Sequence, residues 1–369
     1  MGKVQVKAAV FYRPHEPLAV QELELEGPRA GEVLVRIAAC GVCHSDLHFI
    51  DGLVPIASPS VLGHEAAGVV EAVGAGVASV QPGDHVVLSF IPSCGRCQYC
   101  VVGRPNLCTI GNRAMSRGTM LDGTPRFARE GRPVYQMGSI GGFASYTVVP
   151  EAGCVKIRGD MPLDRAALLG CGVMTGVGAV INTARVQAGS DVAVVGCGGV
   201  GLNVVQGAAL AGAGRIIAID VLAHKLELAR QFGATHTVDA SREDPVEAVR
   251  RISPGGVDYA FEVIGRPETV RQAFDMARRG GLTVVVGVPP AGAEVSLPAG
   301  AFLTEKTITG SAYGGARMPV DVPRLVELYM SGRLKLDELI SRVYPLEGIN
   351  DAFDALRRGE VARSIVTPL

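Results

Sequence analysis

An excess of basic charge is absent from this chain: its 369 residues carry 35 lysines and arginines against 36 acids, a formal net charge of −1. That balance leaves no electrostatic footprint for nucleic acid, and no run of like charge marks an interaction tail. Residues 1–16 lack the long apolar segment of a secretory signal, so a cytoplasmic protein is the expectation. Internal repeats and low-complexity tracts are missing too. Charge is almost absent from residues 192–218, where Arg215 stands alone, and that length would suffice to cross a bilayer. Glycines break the stretch into strand, turn, helix and strand, which reads as a buried α/β unit and excludes a membrane span. Nine cysteines without a signal, an odd count, do not suit a disulfide framework; thiols in such a protein more often bind metal or react.

The length exceeds what one hydrophobic core usually organises, so two domains are expected. The first part reads as short strands over residues 4–10, 18–25, 33–39, 69–73, 85–88 and 144–149, punctuated by glycine and proline. Between the main cysteine cluster and Phe143 the polar segment containing RGTMLDGTPRF predicts an irregular surface loop. From about Gly176 the rhythm changes. Apolar strands at 192–195, 216–219, 257–262 and 282–287 alternate with helical patterns at 200–211, 224–232, 245–252 and 268–279. Such alternation predicts a parallel sheet covered on both faces. Helical patterns at 323–330 and 349–357 and a strand at 364–367 then return the chain to the first domain.

Three groups of residues carry chemistry. Cys94, Cys97, Cys100 and Cys108 follow the spacing C-x2-C-x2-C-x7-C, and four soft thiolates so placed close a tetrahedral cage around zinc. Cys40, Cys154 and Cys197 read as ordinary small apolar residues. Strand 192–195 runs into Gly196-Cys197-Gly198-Gly199-Val200-Gly201 and an apolar helix, the context in which a GxGxxG turn binds a dinucleotide. Gly196 permits the turn, Gly198 lets backbone approach a pyrophosphate, and Gly201 lets helix pack on strand. Asp220 follows Gly201 by 19 residues, where a carboxylate accepts the ribose hydroxyls and favours NAD over NADP; a helix N-cap is the alternative role. The third group is looser. Cys43, His64 and Cys171 are zinc-type ligands that no local spacing joins, and an isolated histidine is more often a core or surface residue.

A resemblance joins them. Gly63-His64-Glu65-x2-Gly68-x5-Gly74-x2-Val77, the cysteine quartet, Cys171, Gly196–Gly201 and Asp220 stand in the order and at the intervals of the zinc-dependent medium-chain alcohol dehydrogenases, over almost the whole chain. The resemblance implies an α/β protein: a GroES-like β-rich catalytic domain at 1–175, interrupted by a Rossmann-type doubly wound parallel sheet at 176–313, with 314–369 returning to the first domain and a cleft between the two. It implies two zinc ions per chain, a catalytic one on Cys43, His64 and Cys171 and a structural one on the quartet, with NAD as coenzyme. Glu65 is implied beside the catalytic metal as a transient ligand, and Asp46 as the residue that orients His64. Ser45 is implied as the acceptor of the alcohol proton and His48 as its exit to solvent; a turn hydroxyl and a surface histidine are the plainer readings. The coenzyme contacts implied are His44 and Arg363 on the phosphates, Thr175 and Val200 beside the nicotinamide, Lys225 at the adenosine ribose, Arg266 nearby, and Val286 and Val288 at the nicotinamide end. Phe90 is implied as a wall of the substrate pocket.

The expected reaction is oxidation of a primary or secondary alcohol to aldehyde or ketone, with hydride passing to NAD, and its reverse. A glutathione-adduct dehydrogenase of the class III type, or an enzyme that keeps its NAD and uses an external carrier, is the alternative. Segment 49–62 has Asp51 as its only acid, and Asn112 stands where the glutathione class has arginine, which favours a plain alcohol, with neighbouring Arg113 as the residue that could substitute. A zinc-free quinone reductase would lack the Cys43, His64 and Cys171 set, and a nucleic-acid module would need more than Arg96 and Arg104 around the quartet. The family implies a homodimer or homotetramer, paired through the sheet edge near 282–313.

Overall fold

The computed structural model describes residues 2–368, which divide into two compact units: residues up to Cys171 together with those from Arg317 onward, and Gly172–Ala316 between them. The boundary at Gly172 opens the helix Gly172–Gly178, so the helix carrying Thr175 belongs whole to the second unit.

In the first unit, strands Val4–Phe11, Ala19–Leu25, Phe127–Arg129, Arg132–Gln136 and Ser60–Val61 close a barrel. Beside it lies a sheet in the order Cys154–Ile157, His85–Leu88, Glu65–Val73, Glu32–Val42, Arg363–Thr367, Ile340–Pro345, with Tyr146–Pro150 also pairing Glu32–Val42. Alternation explains how one strand serves two cores. Val6, Ala8 and Val10 face one apolar cluster, while Ala9 and Phe11 face another. Strand Glu32–Val42 does the same, with Leu34 on one side and Val33, Val35 and Ile37 on the other.

In the second unit six strands pair parallel throughout, in the order His236–Asp239, Arg215–Asp220, Asp191–Val195, Val257–Glu262, Ala277–Val285, Thr307–Gly310. The chain builds outward on one side of Asp191–Val195 and then crosses to build on the other. The switch point therefore falls between Asp191–Val195 and Val257–Glu262, the place where ligands bind at the carboxyl ends of such sheets. Residues 192–218 form strand, turn, helix and strand, and among the described residues no helix is long and apolar enough to cross a membrane.

Three expectations are corrected. The segment after the quartet is not an irregular loop: it holds helix Thr109–Arg117 and strands Phe127–Arg129 and Arg132–Gln136. The helix starts on Cys108, whose sulfur accepts the Gly111 N–H, and ends at Gly118 in the left-handed conformation. The polar stretch is anchored by Arg126, fully buried, whose Nε donates to Glu32 Oε2 at 2.9 Å and whose Nη2 donates to Asp122 Oδ2 at 2.7 Å. Second, the helix expected at 268–279 ends at Met276, because Ala277 already pairs with Val257 across the sheet. Third, the helix expected from 323 begins at Met318, with Pro319 in its first turn, where proline is tolerated.

Candidate active site and metal centres

Strand register brings the scattered ligands together. Gly41 pairs with Glu65 on one side and with Ile365 on the other, so the ends of Glu32–Val42, Glu65–Val73 and Arg363–Thr367 meet. Cys43 leaves the first of these as the residue preceding helix His44–Ile50. His64 sits just before the second, beyond Gly63, whose φ is +89° and where a Cβ would lie 2.7 Å from Phe143 N. Cys171 follows helix Leu163–Leu168 through Gly170. The ligand atoms of Cys43, His64 and Cys171 all lie within 4.8 Å of one another, all three residues are buried, and His64 Nε2 is 3.2 Å from Cys171 Sγ.

Asp46 fixes this arrangement. Its Oδ2 lies 3.3 Å from His64 Nδ1, and its Oδ1 accepts the Gly63 N–H at 2.9 Å. The ring is thus oriented with Nε2 toward the sulfurs, the outer-sphere pattern of metal-bound histidines. Burial disfavours charge on His64, yet Asp46 outweighs it and holds the imidazole well above its usual range. The hydrogen bond from Cys171 holds the Cys43 thiol well below its usual range, against burial and with help from Arg363. Zinc takes sulfur at about 2.3 Å and nitrogen at about 2.0 Å, so its donors stand roughly 3.5–3.8 Å apart. The two sulfurs and one nitrogen, gathered within 4.8 Å of one another, are the donor types zinc takes, and a set of three protein ligands leaves one coordination position for a reactant.

The remaining expected residues fall into place unevenly. Ser45 and His48 share the helix His44–Ile50 at i and i+3, hence on one face, and Ser45 Oγ lies 3.8 Å from Cys43 Sγ. His44 is exposed in the first turn of that helix. Phe90 packs edge-on against the His64 ring at 5.3 Å between centroids. Glu65 is fully buried but outside the mutual ligand set; its Oε2 lies 3.7 Å from the Arg363 guanidinium. Gly41 makes room for it, since a Cβ there would lie 2.8 Å from the Glu65 carboxyl carbon. Arg363, expected on a coenzyme phosphate, is buried beside Glu65, and its Nη1 donates to Val42 O at 3.5 Å. An isolated glycine such as Gly41 gives no signal in a sequence, and sequence reasoning missed it.

Cys94, Cys97, Cys100 and Cys108 converge in the same unit as a second group able to hold a metal ion. The N–H groups of Cys94 and Gly111 each lie 3.3 Å from Cys108 Sγ, and Cys97 Sγ is 3.6 Å from Cys100 Sγ. Backbone N–H groups of Cys100 and Thr109 bring the Cys97 thiol down to about 6, whereas burial and neighbouring Cys97 push Cys100 up to about 12. Four thiolates gathered this closely would repel one another unless a cation stood between them. Four sulfur donors leave no position for a reactant, which makes this a closed site.

The dinucleotide turn occupies the switch point of the second unit. Gly196 has φ of +99°, and a Cβ on Gly201 would lie 1.8 Å from Gly196 O. At Gly198 a Cβ would meet nothing within 4 Å, so the turn is open where a pyrophosphate approaches the first amides of helix Gly199–Leu210. Asp220 Oδ2 accepts the Cys197 N–H at 2.8 Å, and its Oδ1 accepts those of Val221 and Leu222 at 2.8 and 3.0 Å. The carboxylate is therefore pinned beside the glycine turn, and Leu222, rather than Asp220, precedes helix Ala223–Gln231. Thr175 adjoins Gly176, where a Cβ would lie 2.6 Å from Val200 O, so these two expected contacts are neighbours. Lys225 and Val286 are half-buried, and Arg266 and Val288 are exposed, on the segments that follow the strands.

Two family models match this chain: an alcohol dehydrogenase GroES-like domain over residues 29–159 and a zinc-binding dehydrogenase over residues 199–331. The chain is 42% identical over 373 residues to S-(hydroxymethyl)glutathione dehydrogenase of Paracoccus denitrificans, covering 98% of this chain and 100% of that one. It belongs to the zinc-binding alcohol dehydrogenases. Among solved structures of the family, a zinc-binding alcohol dehydrogenase protein from Burkholderia ambifaria superposes with a TM-score of 0.95 at 38% identity, and benzyl alcohol dehydrogenase of Acinetobacter calcoaceticus with 0.94 at 35%; each comparison covers 99% of both chains. As an alcohol dehydrogenase of this family the chain is an oxidoreductase acting on CH–OH donors with zinc and NAD, on a GroES-like domain joined to a Rossmann-type sheet.

Proposed function

We propose that this alcohol dehydrogenase oxidises small primary alcohols, aromatic ones included, and does not take glutathione adducts. The observation that carries this is the state of Asp51, the only acid in segment 49–62: Arg357 already holds its Oδ1 at 2.7 Å, an ion pair that a peptide amine would have to displace or share. Asn112 is likewise engaged, donating to Asn106 O at 3.3 Å and Cys108 O at 2.9 Å. The overlap with benzyl alcohol dehydrogenase and the ring of Phe90 against His64 support an apolar substrate.

Zinc held by Cys43, His64 and Cys171 supplies Lewis acidity that lowers an alcohol's pKa, and NAD accepts the hydride. Two thiolates and a neutral imidazole would balance the charge of a zinc ion held there. Asp46 keeps the His64 ring turned to the metal position. Ser45 takes the alcohol proton, and His48, one helical turn on, releases it to solvent. Arg363 and Glu65 neutralise each other behind the thiolates, and Glu65 is poised for transient ligation. On the second unit Asp220 receives the adenosine ribose and repels a 2′-phosphate, with Lys225 beside it. Thr175, Val200, Val286 and Val288 surround the nicotinamide, while His44 and Arg363 support the phosphates and Arg266 lies near the coenzyme.

The test is a substrate panel followed by NADH absorbance. Benzyl and short linear alcohols should exceed S-(hydroxymethyl)glutathione at least about tenfold in kcat/KM, as losing one charged anchor implies; the reverse order would overturn the reading. His48→Gln should slow turnover roughly tenfold below neutral pH and little above it, with rescue by small buffer bases. A parallel fall at every pH would remove His48 from the relay.

The assembly is proposed as a homodimer through the second unit's outer strand, Thr307–Gly310, beside which Leu303 is 90% and Phe302 46% exposed. Sedimentation should give a dimer for the wild type and a monomer for Leu303→Glu; a monomeric wild type refutes it. A cytoplasmic location follows from the two thiolate sites, which need a reducing compartment; activity recovered with extracellular markers on fractionation would contradict it.

A further inference from the structure

One buried carboxylate in the second unit lies outside every role given so far. Glu262 ends strand Val257–Glu262, is fully buried, and stands directly beside the switch point. Its Oε1 accepts three donors: Ile264 N at 2.9 Å, Gly265 N at 2.7 Å and Thr269 Oγ1 at 2.8 Å. Its carbonyl accepts Val286 N at 2.8 Å and Gly287 N at 3.1 Å from the next strand's end. A single residue thus ties the turn after its own strand to the turn after the neighbouring one.

The two turns are also in contact. A Cβ on Gly265 would lie 2.4 Å from Val288 O, and one on Gly287 would lie 2.1 Å from Gly265 N. Across the crevice, a Cβ on Gly196 would lie 2.6 Å from Ile264 Cγ1. The amide that Glu262 grips therefore belongs to the residue whose side chain rests on the first glycine of the fingerprint. The second oxygen, Oε2, is buried without a hydrogen-bond partner. A carboxylate desolvated on one side and half unsatisfied is a poor way to stabilise a fold, since an apolar side chain of the same size avoids that cost. What the carboxylate contributes is geometry, and incompletely satisfied groups of this kind concentrate at functional sites.

We infer that Glu262 is the positioning residue for the nicotinamide half of the coenzyme: its carboxylate sets the lip Val263–Arg266 against Gly196 on one side and Gly287–Val288 on the other. The role rests on the second unit binding NAD. Sequence reading overlooked it because an acid at the end of an apolar strand, before Val-Ile-Gly-Arg, looks like a strand terminus and nothing more.

Calorimetric titration of the full-length, zinc-loaded enzyme with NADH and with AMP separates this role from general support. AMP carries the adenosine, on whose side Asp220 lies, and one phosphate, but neither the nicotinamide nor its ribose. Glu262→Leu keeps the volume and removes the acceptor. It should weaken NADH about 30-fold, as losing hydrogen bonds to a charged group implies, with AMP changed less than about twofold. Glu262→Gln keeps an acceptor oxygen and should restore NADH binding to within about threefold of wild type. If Glu262→Leu binds NADH as the wild type does, or weakens NADH and AMP equally, the inference is overturned. Should the leucine variant fail to fold, Thr269→Val removes one donor alone and should weaken NADH about threefold, with AMP and the melting temperature unmoved; unchanged NADH affinity would count against the role. A wild type that binds neither ligand would refute the coenzyme reading and this role together, a result distinct from a variant that merely equals its parent.

Discussion

Cys171→Ala should leave the chain folded with one zinc instead of two and lower kcat/KM for its alcohol by about four orders of magnitude or more. The expectation follows from the geometry. His64 Nε2 stands 3.2 Å from Cys171 Sγ, and removing that sulfur leaves only Cys43 and the imidazole at the site. Two protein ligands do not retain zinc against buffer and chelators, and without it an alcohol at neutral pH keeps its proton. The fold should survive because alanine removes one small buried atom from a position already close to backbone. Coenzyme binding should survive too, since Gly196–Gly201, Asp220 and Glu262 all lie in the other unit. Metal analysis, NADH titration and initial rates together decide it. A variant that retained both metal ions and normal turnover would remove Cys171 from the site.

Cys97→Ser should do the opposite: it should cost stability before it costs chemistry. Residues 94–108 have little apolar core of their own, and Val101 and Val102 are both mostly exposed. Helix Thr109–Arg117 hangs from Cys108, which is at once a candidate metal donor and the acceptor of the Gly111 N–H in the helix's first turn. In such a lobe metal binding is folding free energy, so loss of one thiolate should destabilise by several kcal/mol, with a lowered melting temperature and early proteolysis around 94–118. The fraction that remains folded should turn over within about tenfold of wild type. A variant with unchanged melting that had lost turnover would mean that the quartet takes part in catalysis.

The quartet and the glycine turn were legible because each is local: the residues that act together are close in sequence and their spacing is dictated by one ion or one turn. The parallel sheet was legible because strands buried on both faces are apolar throughout, and residues 257–262 match the observed strand end to end. The convergence of Cys43, His64 and Cys171 was not legible from spacing. His64 and Cys171 lie 107 residues apart, and it is the packing of helix Leu163–Leu168 on strands Glu32–Val42 and Glu65–Val73 that brings Cys171 to the strand ends where Cys43 and His64 stand. That set was available only through resemblance. Segment 109–142 was misread for a chemical reason: its helix begins on a cysteine sulfur, outside the usual capping residues, and its polar face conceals Arg126 inside the barrel side of the unit. Arg363 also has a carboxylate neighbour in Glu65 that no spacing announces.

Strand Arg363–Thr367 lies against Val42 although 321 residues separate Arg363 from it. A chain emerging from the ribosome therefore completes the quartet, and then the whole inserted sheet, while the flank of Cys43 is still bare. The closed metal site can fill before residue 363 has been made, whereas the reactive one gains the wall beside Cys43 only after it, so a nascent chain that stops short of that strand carries no finished catalyst.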